Sequence, residues 1–335
     1  MTIAAPLTPP RTTSLARPAR AASTRREAWL GWAAYAFAVH VQLLGLVVLR
    51  LGPAITAAQI VVLGATLASA LLSVVHDAGH SEFSKRGWVN VAAAQSAVPM
   101  FLWVAQYRVK HRIHHKLANE YAVDESTNPH PLLRVHPRTA WRPWHRYQHV
   151  YAPALYSLAW IGDVISQLRF LRTGMAGPER VGTFRSRACS YASEKALTLA
   201  LLFPYVLLAG PVRSLTVGAP VVAVASLLAA LVLIAGHANV GLVDATNADF
   251  IDRAFLATAA FSTTSPWMRR LTGGLTHHHV HHLRPHAPRS TFSTLQAEFV
   301  APLAAKQQLP VVEFPTLRSA IANHFRHLRE LGAAT

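Results

Sequence analysis

Four apolar runs stand out along the chain, and each is long enough to cross a membrane as one helix. They lie at about residues 29–49, 54–75, 196–212 and 217–236. About 20 consecutive apolar residues span the hydrocarbon core of a bilayer in helical form. Short connections, Leu51-Gly52-Pro53 and 213–216, separate the runs within each pair. The pattern therefore predicts two helical hairpins, each returning to the side of the membrane where it began.

Two further stretches are apolar only in part, because polar residues interrupt them. Residues 88–107 include Asn90 and Gln95, and residues 150–171 include Asp163. An apolar face broken by such residues is typical of a helix that lies in the membrane interface rather than across it. We therefore predict two interfacial helices here.

The remaining segments are polar. Residues 1–27 are rich in Pro, Thr, Ala and Arg without an apolar period, which predicts a disordered basic tail. Residues 28–335 then form a single membrane domain, in which 116–148 is a polar loop and 247–265 an amphipathic segment. Residues 295–335 are predicted to add helices to a soluble cap. The predicted fold class is all-α, a polytopic membrane protein with four transmembrane helices and a cytoplasmic helical cap.

Composition and charge support this topology. The chain is 52% hydrophobic and only 14% charged, whereas soluble domains are about 25% charged. Its formal charge is +17, from 32 Lys and Arg against 15 Asp and Glu. The basic residues flank apolar runs, so we interpret them as topology signals and contacts to anionic lipids, and we expect no nucleic-acid partner. The two outer connections carry only Arg50 and Arg213, which predicts both termini on the cytoplasmic side.

Three histidine clusters carry the candidate chemistry. They read HDAGH at residues 76–80, HRIHH at 111–115 and HHHVHH at 277–282. Histidines three and four residues apart project from one face of a helix, and neutral imidazole is the commonest protein metal ligand. All three clusters fall on the predicted cytoplasmic side. The candidate metal ligands are His76, His80, His111, His114, His115, His278, His281 and His282, with His237 at the end of the fourth run as a ninth.

Eight or nine imidazoles are too many for one ion and suit two, because zinc takes about three protein ligands at a catalytic site and four at a structural one. The single cysteine, Cys189, excludes an internal disulfide and Cys-rich zinc or iron–sulfur sites. Two redox metals beside a membrane point to oxygen chemistry, for which nitrogen-ligated iron is the natural candidate.

Imidazoles bring no negative charge, so nearby carboxylates must balance the metal charge and accept the second ring N–H. The candidates for this role are Asp77, Asp124, Asp244 and Glu82.

The other histidines are predicted to have structural or surface roles. We expect His40, within the first run, to be a hydrogen-bonded packing residue. His277, His279 and His286 are expected either to support the metal ligands or to lie on the surface. We expect surface or interfacial placement for His130, His136, His145 and His149. His324 and His327 are expected on a solvated helix face.

The clusters and their flanks resemble those of the integral-membrane fatty acid desaturase and hydroxylase superfamily. HRIHHKLANEYAVDES, starting at His111, resembles the second histidine box of acyl-lipid desaturases, and GGLTHHHVHHLRPHAPR, starting at Gly273, resembles the third. The likeness covers about residues 74–289. The chain departs from the family pattern at His278, where many front-end desaturases have Gln, and at Arg284, where an apolar residue is usual.

The resemblance implies a centre of two iron ions held by the eight box histidines, with His237 as the additional ligand. It implies dioxygen as the oxidant and an acyl chain as the substrate, carried by a lipid, coenzyme A or acyl carrier protein. The chain is expected to lack a fused haem domain, so an external donor such as a ferredoxin would supply electrons. The predicted activity is an oxygen-dependent acyl desaturase.

Three other functions remain open. The nearest keeps the metal site but hydroxylates or ketolates an alkane, acyl chain or carotenoid. A membrane zinc hydrolase is a second, because HDAGH has the two-histidine spacing of HExxH, although Asp77 stands where the general-base Glu belongs. A histidine-rich metal transporter is the third, although transporters bind their ions near the bilayer midplane and these clusters follow span ends.

Overall fold

The computed structural model describes residues 22–121, 123–125, 131–239, 241, 245 and 248–333. In chain order these form α1 (Ala22–Val48), α2 (Pro53–Ala70), α3 (His76–Gly79), α4 (Gly87–Ala97), α5 (Val104–Leu117), α6 (Gln148–Ser157), α7 (Ala159–Thr173), β1 (Met175–Ala176), β2 (Glu179–Arg180), α8 (Phe184–Ala209), α9 (Pro211–Ala235), α10 (Phe250–Leu256), β3 (Ala260–Phe261), α11 (Pro266–Leu271), α12 (His278–Leu283), α13 (Phe292–Leu295), α14 (Ala301–Gln307), β4 (Glu313–Phe314) and α15 (Leu317–Ala333). Short 3₁₀ and π turns join some of them. The predicted helical class is confirmed, and the described strands are two residues each.

Four helical stretches are long and apolar enough to cross a membrane, as predicted: Thr24–Val48, Pro53–Gly79, Phe184–Ala209 and Pro211–Ala235. Their outward faces expose large apolar side chains such as Phe37 and Leu207, as lipid-facing surfaces do. The predicted tail, 1–27, overlaps α1 from Ala22 onward.

The connection between the last two spans differs from the prediction. It is the single residue Gly210, whose φ of +80° is the left-handed conformation that glycine adopts without strain. Residues 213–216, which the sequence suggested as a loop, belong to the first turns of α9. The third span also begins at Phe184, well before residue 196, because polar residues in its first half find protein partners.

The core of the span bundle is the packing of α2 against α9. Gly64 makes this approach possible, because a Cβ at that position would lie 2.6 Å from Val224 Cγ1. Small residues at a helix interface let two membrane helices come close. Toward the histidines, α2 widens into one π turn, Leu71–Val75, which leads directly into α3. Such turns are rare and occur mostly at functional sites.

The two predicted interfacial helices are each broken. The first becomes α4 and α5, separated by residues 98–103, and the second becomes α6 and α7, which meet at Leu158. The predicted amphipathic segment 247–265 contains α10 and the strand β3. Strand β3 pairs in parallel with β4, and this pairing brings the chain to the start of α15.

Helix α15 lies over α6, α9 and the 3₁₀ turn Pro143–Tyr147. It buries Ala320, His324 and Leu328, a stripe with a spacing of four residues. This packing overturns two surface predictions: His145 is 0% exposed and His324 is 1% exposed. His145 was predicted to lie on the surface or at the membrane interface and His324 on a solvated helix face, because a polar loop and a terminal helix give no sign that they cover each other.

Candidate metal centre

Four separate segments bring nine histidine rings together. Helix α3 begins with His76, α5 carries the HRIHH cluster, His237 follows α9, and α12 begins with His278. The rings divide into two groups. The first group comprises His76, His80, His111, His115 and His281, and the second group comprises His114, His237 and His282, to which His278 is joined by its contact with His237.

In the first group, each residue offers one ring nitrogen, and these atoms all lie within 4.8 Å of one another. Nε2 of His76 is 3.0 Å from Nε2 of His281, and Nε2 of His111 is 2.8 Å from Nε2 of His80. Two nitrogens that bind one ion at right angles, each about 2.1 Å from it, are separated by about 3.0 Å. The observed separations therefore match neighbouring ligands of a single ion.

The second group shows why a cation belongs between the rings. His114 donates its Nδ1–H to Asp124 Oδ2 at 2.9 Å, and His237 donates its Nδ1–H to the Ala257 carbonyl at 2.9 Å. A neutral imidazole has one N–H, so in both rings Nε2 carries a lone pair. These two Nε2 atoms nevertheless lie 3.0 Å apart, where no hydrogen bond can form between them.

His278 is arranged in the same way, with its Nδ1 bound to a backbone carbonyl and its Nε2 facing Nε2 of His237. Its Nδ1 lies 3.2 Å from the Leu275 carbonyl, to which it donates, and its Nε2 lies 2.8 Å from Nε2 of His237. Three lone pairs thus converge within hydrogen-bonding distance without a proton to share. Such an arrangement is stable only around a positive ion.

A proton is a poor candidate for that ion. Burial, reinforced by the neighbouring imidazoles, lowers the pKa of most of these rings well below 6.5. It lowers the pKa of His237 to about 3. The rings with a strongly lowered pKa outside the spans also include His111, His115, His278, His281 and His282. At neutral pH the rings with a lowered pKa are uncharged, which is the form that binds metal.

Several buried ring nitrogens find no hydrogen-bond partner among the described residues. Both nitrogens of His115 and Nε2 of His282 are of this kind. A buried polar atom without a partner costs roughly 1–3 kcal/mol, so these atoms also favour bound metal. An all-imidazole donor set suits iron, zinc, copper or nickel, and the residues present fit the two ions that the nine ligands suggested.

The carboxylates predicted to support the ligands fall in different places. Asp124 is 1% exposed and accepts from His114. Asp77 instead accepts from the guanidinium of Arg289. Glu82 lies 2.6 Å from Nδ1 of His286. Asp244 lies outside the described residues.

The glycine pair before the third cluster is explained by close packing on the first. Gly273 and Gly274 have φ of +62° and +89°, in the region that favours glycine. A Cβ on Gly273 would overlap the backbone oxygen of Leu72, within the π turn that leads to His76. The first and third clusters therefore meet through backbone contact that a side chain at Gly273 would prevent.

The remaining predicted residues surround the site or lie apart from it. His277 directly precedes α12 and His279 lies within it; both are buried, and burial lowers the pKa of each to about 4. His40 bonds Tyr205 and the Ser96 carbonyl within the bundle, as expected of a packing residue. His130 lies outside the described residues.

Sequence reasoning missed residues that hold the backbone of the ligands. Asn119 donates from Nδ2 to the carbonyl of His237 at 2.9 Å, and it stood in the motif beside the second cluster as the available signal. Arg253 forms a buried ion pair with Glu120 at 2.8 Å, which ties α10 to the end of α5. Arg284, at the departure from the family pattern, lies 4.7 Å from the Phe299 ring centre.

The bundle and the site define a membrane protein with histidine clusters that could hold metal. The family model described as fatty acid desaturase matches residues 52–315. The chain therefore belongs to the fatty acid desaturase family.

Curated relatives of the chain are desaturases, and their sequence identity to it is low. An acyl-lipid (7-3)-desaturase of Rebecca salina is 28% identical over 293 residues, covering 81% of this chain and 63% of the relative. An sn-1 linoleoyl-lipid 6-desaturase of Arthrospira platensis is 25% identical over 246 residues, covering 68% and 64%. Another protein of that name, from a Synechocystis species, is 24% identical over 293 residues, covering 82% and 80%. The chain thus spans less than two thirds of the length of the first two.

Proposed function

We propose that this protein is an oxygen-dependent acyl desaturase whose two histidine groups each hold one iron ion. The observation that carries the proposal is the convergence of unprotonated imidazole nitrogens into two adjacent groups at the ends of membrane-spanning helices. Bound iron would supply the activation of dioxygen that the removal of hydrogen from an unactivated methylene requires. The family membership and the names of the relatives support the same activity.

The overall reaction balances without a further co-reactant besides an electron donor. Two hydrogen atoms leave adjacent carbons of the acyl chain, and two electrons and two protons enter. One dioxygen is reduced to two water molecules, and a carbon–carbon double bond forms. The role of the chain's own residues is to hold neutral nitrogens toward the ions, with Asp124, Ala257 and Leu275 retaining the ring protons on the far side.

The substrate and partners follow from chemistry and resemblance. The relatives are named acyl-lipid and linoleoyl-lipid desaturases, which favours a lipid-linked acyl chain over an acyl-CoA or carrier-bound one. Electrons would come from a separate carrier such as a ferredoxin. An acidic carrier would be attracted by the net charge of +17.

We place the active site and both termini on the cytoplasmic side. Four spans leave the histidine groups on the same side as the termini, and the two short connections on the other side carry few basic residues. In the structure these connections are residues 49–52 and Gly210, and the nearby Arg213 donates to the Leu46 carbonyl at 2.9 Å.

The test combines lipid profiling with metal analysis. The chain is expressed in a host that lacks acyl desaturation, and total fatty acids are examined by mass spectrometry. We expect products lighter by two hydrogens, and about two irons per chain in the purified protein. His281→Ala should abolish the product, whereas His149→Ala, a histidine outside both groups, should retain it. Products that gain oxygen without unsaturation would establish hydroxylation instead, and a zinc-loaded protein without iron would contradict the proposal.

A further inference from the structure

Helix α15 lies beyond the part of the chain that the family model matches, which ends at residue 315. It nevertheless reaches the metal centre. His324, in the middle of α15, is 1% exposed and contacts the turn that carries His237. This contact connects a buried polar residue, otherwise unused by the proposed chemistry, to the backbone next to one of the ligands.

The two ring nitrogens of His324 have different partners. Nδ1 lies 2.6 Å from the carbonyl of Ala238, and Nε2 lies 2.8 Å from the hydroxyl of Tyr156. A carbonyl only accepts, so Nδ1 must carry the proton and donate it. Nε2 then accepts from the Tyr156 hydroxyl. Burial lowers the pKa of His324 to about 4, which keeps the ring neutral and this tautomer fixed at physiological pH.

The carbonyl that His324 binds belongs to a turn that needs an external partner. At the end of α9 the amides of His237 and Ala238 both donate back to Ile234, and the chain then leaves the helix. Carbonyls in a final helical turn lack partners within the helix. The His237 carbonyl is satisfied by Asn119, and the Ala238 carbonyl by His324. These two contacts fix the backbone on which the His237 ring is mounted.

The His237 ring can move only a little without disturbing its neighbours in the second group. Nε2 of His237 lies 3.0 Å from Nε2 of His114 and 2.8 Å from Nε2 of His278, so it stands between two other ligands of the second group. Catalytic and metal sites require their ligands to be held within about 0.5 Å. We infer that His324 is a positioning residue for the second metal ion, acting through the Ala238 carbonyl on His237. This inference rests on the proposed two-iron centre.

Other contacts hold α15 in place independently of His324. Gln148 donates to the Leu328 carbonyl at 2.7 Å, and Trp141 donates to the Gly332 carbonyl at 2.9 Å. Gly332 packs so closely on the His145 backbone that a Cβ there would overlap its carbonyl oxygen. Variants at position 324 are therefore expected to keep the helix docked.

Replacing His324 by Asn or by Gln distinguishes a positioning role from simple packing. An Asn side chain places its amide nitrogen near the position of Nδ1 and retains the donor to Ala238. A Gln side chain places its amide nearer Nε2 and retains only the contact with Tyr156. The experiment compares purified wild-type protein, His324→Asn and His324→Gln, with Tyr156→Phe as a variant that removes only the other contact. Thermal melting of the metal-free proteins establishes that all of them fold.

The readout is iron per chain and the rate at which a chelator removes it, followed by Mössbauer spectroscopy of ⁵⁷Fe. We expect His324→Gln to release one of the two ions about 10–100 times faster, while His324→Asn and Tyr156→Phe stay near the wild type. Equal release from wild type and His324→Gln would overturn the positioning role and leave the proposed function intact. A wild-type protein that holds no second iron would overturn both the positioning role of His324 and the proposed two-iron centre.

Discussion

At the scale of single residues, what lies behind each imidazole determines which nitrogen faces the metal. In the second group, the acceptors behind His114, His237 and His278 are one carboxylate and two backbone carbonyls. The carbonyls orient their rings but add no net charge. Asp124 orients its ring and also supplies a negative charge. The same oxygen, Oδ2, that accepts from His114 also accepts from the backbone amide of Asn119 at 3.0 Å.

We predict that replacing Asp124 will weaken metal binding at the second group. Asp124→Ala removes the charge and the acceptor, and iron retention should fall about 10–100-fold. Asp124→Asn keeps an acceptor for the ring but loses the negative charge, so its effect should be smaller. Chelator-release kinetics on purified protein measure both. Glu298→Gln, which removes an exposed carboxylate from α13–α14, serves as the control and should behave as the wild type.

The same residues show what sequence can and cannot predict at this scale. Spacing predicted the eight cluster histidines that converge, because helical periodicity places them on common faces, whereas His237 was predicted from its place at the end of the fourth run and from the family resemblance. Asp124 was marked by the need for negative charge. His324 was assigned to solvent, because the sequence of an amphipathic helix does not reveal which partner will cover its polar residues. Asp77 meets Arg289, a partner more than two hundred residues away that no local pattern indicates.

At the scale of elements, the helix that carries the second cluster is capped by a different span. Trp103 precedes α5 and provides no side-chain cap. Glu194, from α8, accepts from the amides of Val104 at 2.7 Å and Ala105 at 3.1 Å. It is 3% exposed and also accepts from Gln95 at 3.2 Å. A carboxylate at a helix N-terminus satisfies free N–H groups and interacts favourably with the helix dipole.

We predict that Glu194→Gln will destabilise the fold through the start of α5. The amide of Gln has one acceptor oxygen, so at least one buried N–H loses its partner, at a cost of roughly 1–3 kcal/mol. Thermal unfolding in detergent should show a lower midpoint than for Ser193→Ala, an exposed neighbour on the same helix. Hydrogen exchange at Val104 and Ala105 should also become faster. A variant with unchanged melting and unchanged exchange would mean that Glu194 does not cap α5.

The same contact explains why the third span was predicted too short. Residues 184–195 contain several charged side chains, and an apolar run cannot be followed through them. In the structure Glu194 caps α5, while Arg187 donates to the carbonyls of Leu171, Val181 and Gly182. Tertiary partners satisfied these charges, and hydropathy alone does not contain that information. The apolar runs themselves were sufficient to predict the number of spans.

At the scale of the whole molecule, segments on both sides of the matched family region reach the site. Besides α15, the start of α1 contacts the segment that follows the third cluster: Glu27 accepts from the amide of Arg289 at 3.0 Å, and Thr24 donates to the His286 carbonyl at 3.3 Å. Neither flank carries a motif that indicates its partner, so these contacts could not be predicted. What could be predicted was that an even number of spans leaves all three clusters on one side.

That sidedness leads to a prediction about the protein in its membrane. In a Cys189→Ala background, single cysteines are introduced at Leu51, between the first two spans, at Lys85, just after the first cluster, and at Arg326, in α15; the native residues there are all exposed. A membrane-impermeant maleimide should label Leu51→Cys in intact cells, because basic residues are nearly absent from that connection. Lys85→Cys and Arg326→Cys should react only after the cells are permeabilised, because we propose that the histidine groups and α15 face the cytoplasm. Labelling of Lys85→Cys from outside would reverse the assignment. Opposite behaviour of Lys85→Cys and Arg326→Cys would contradict the packing of α15, since a helix on the other side of the bilayer could not contact the turn that carries His237.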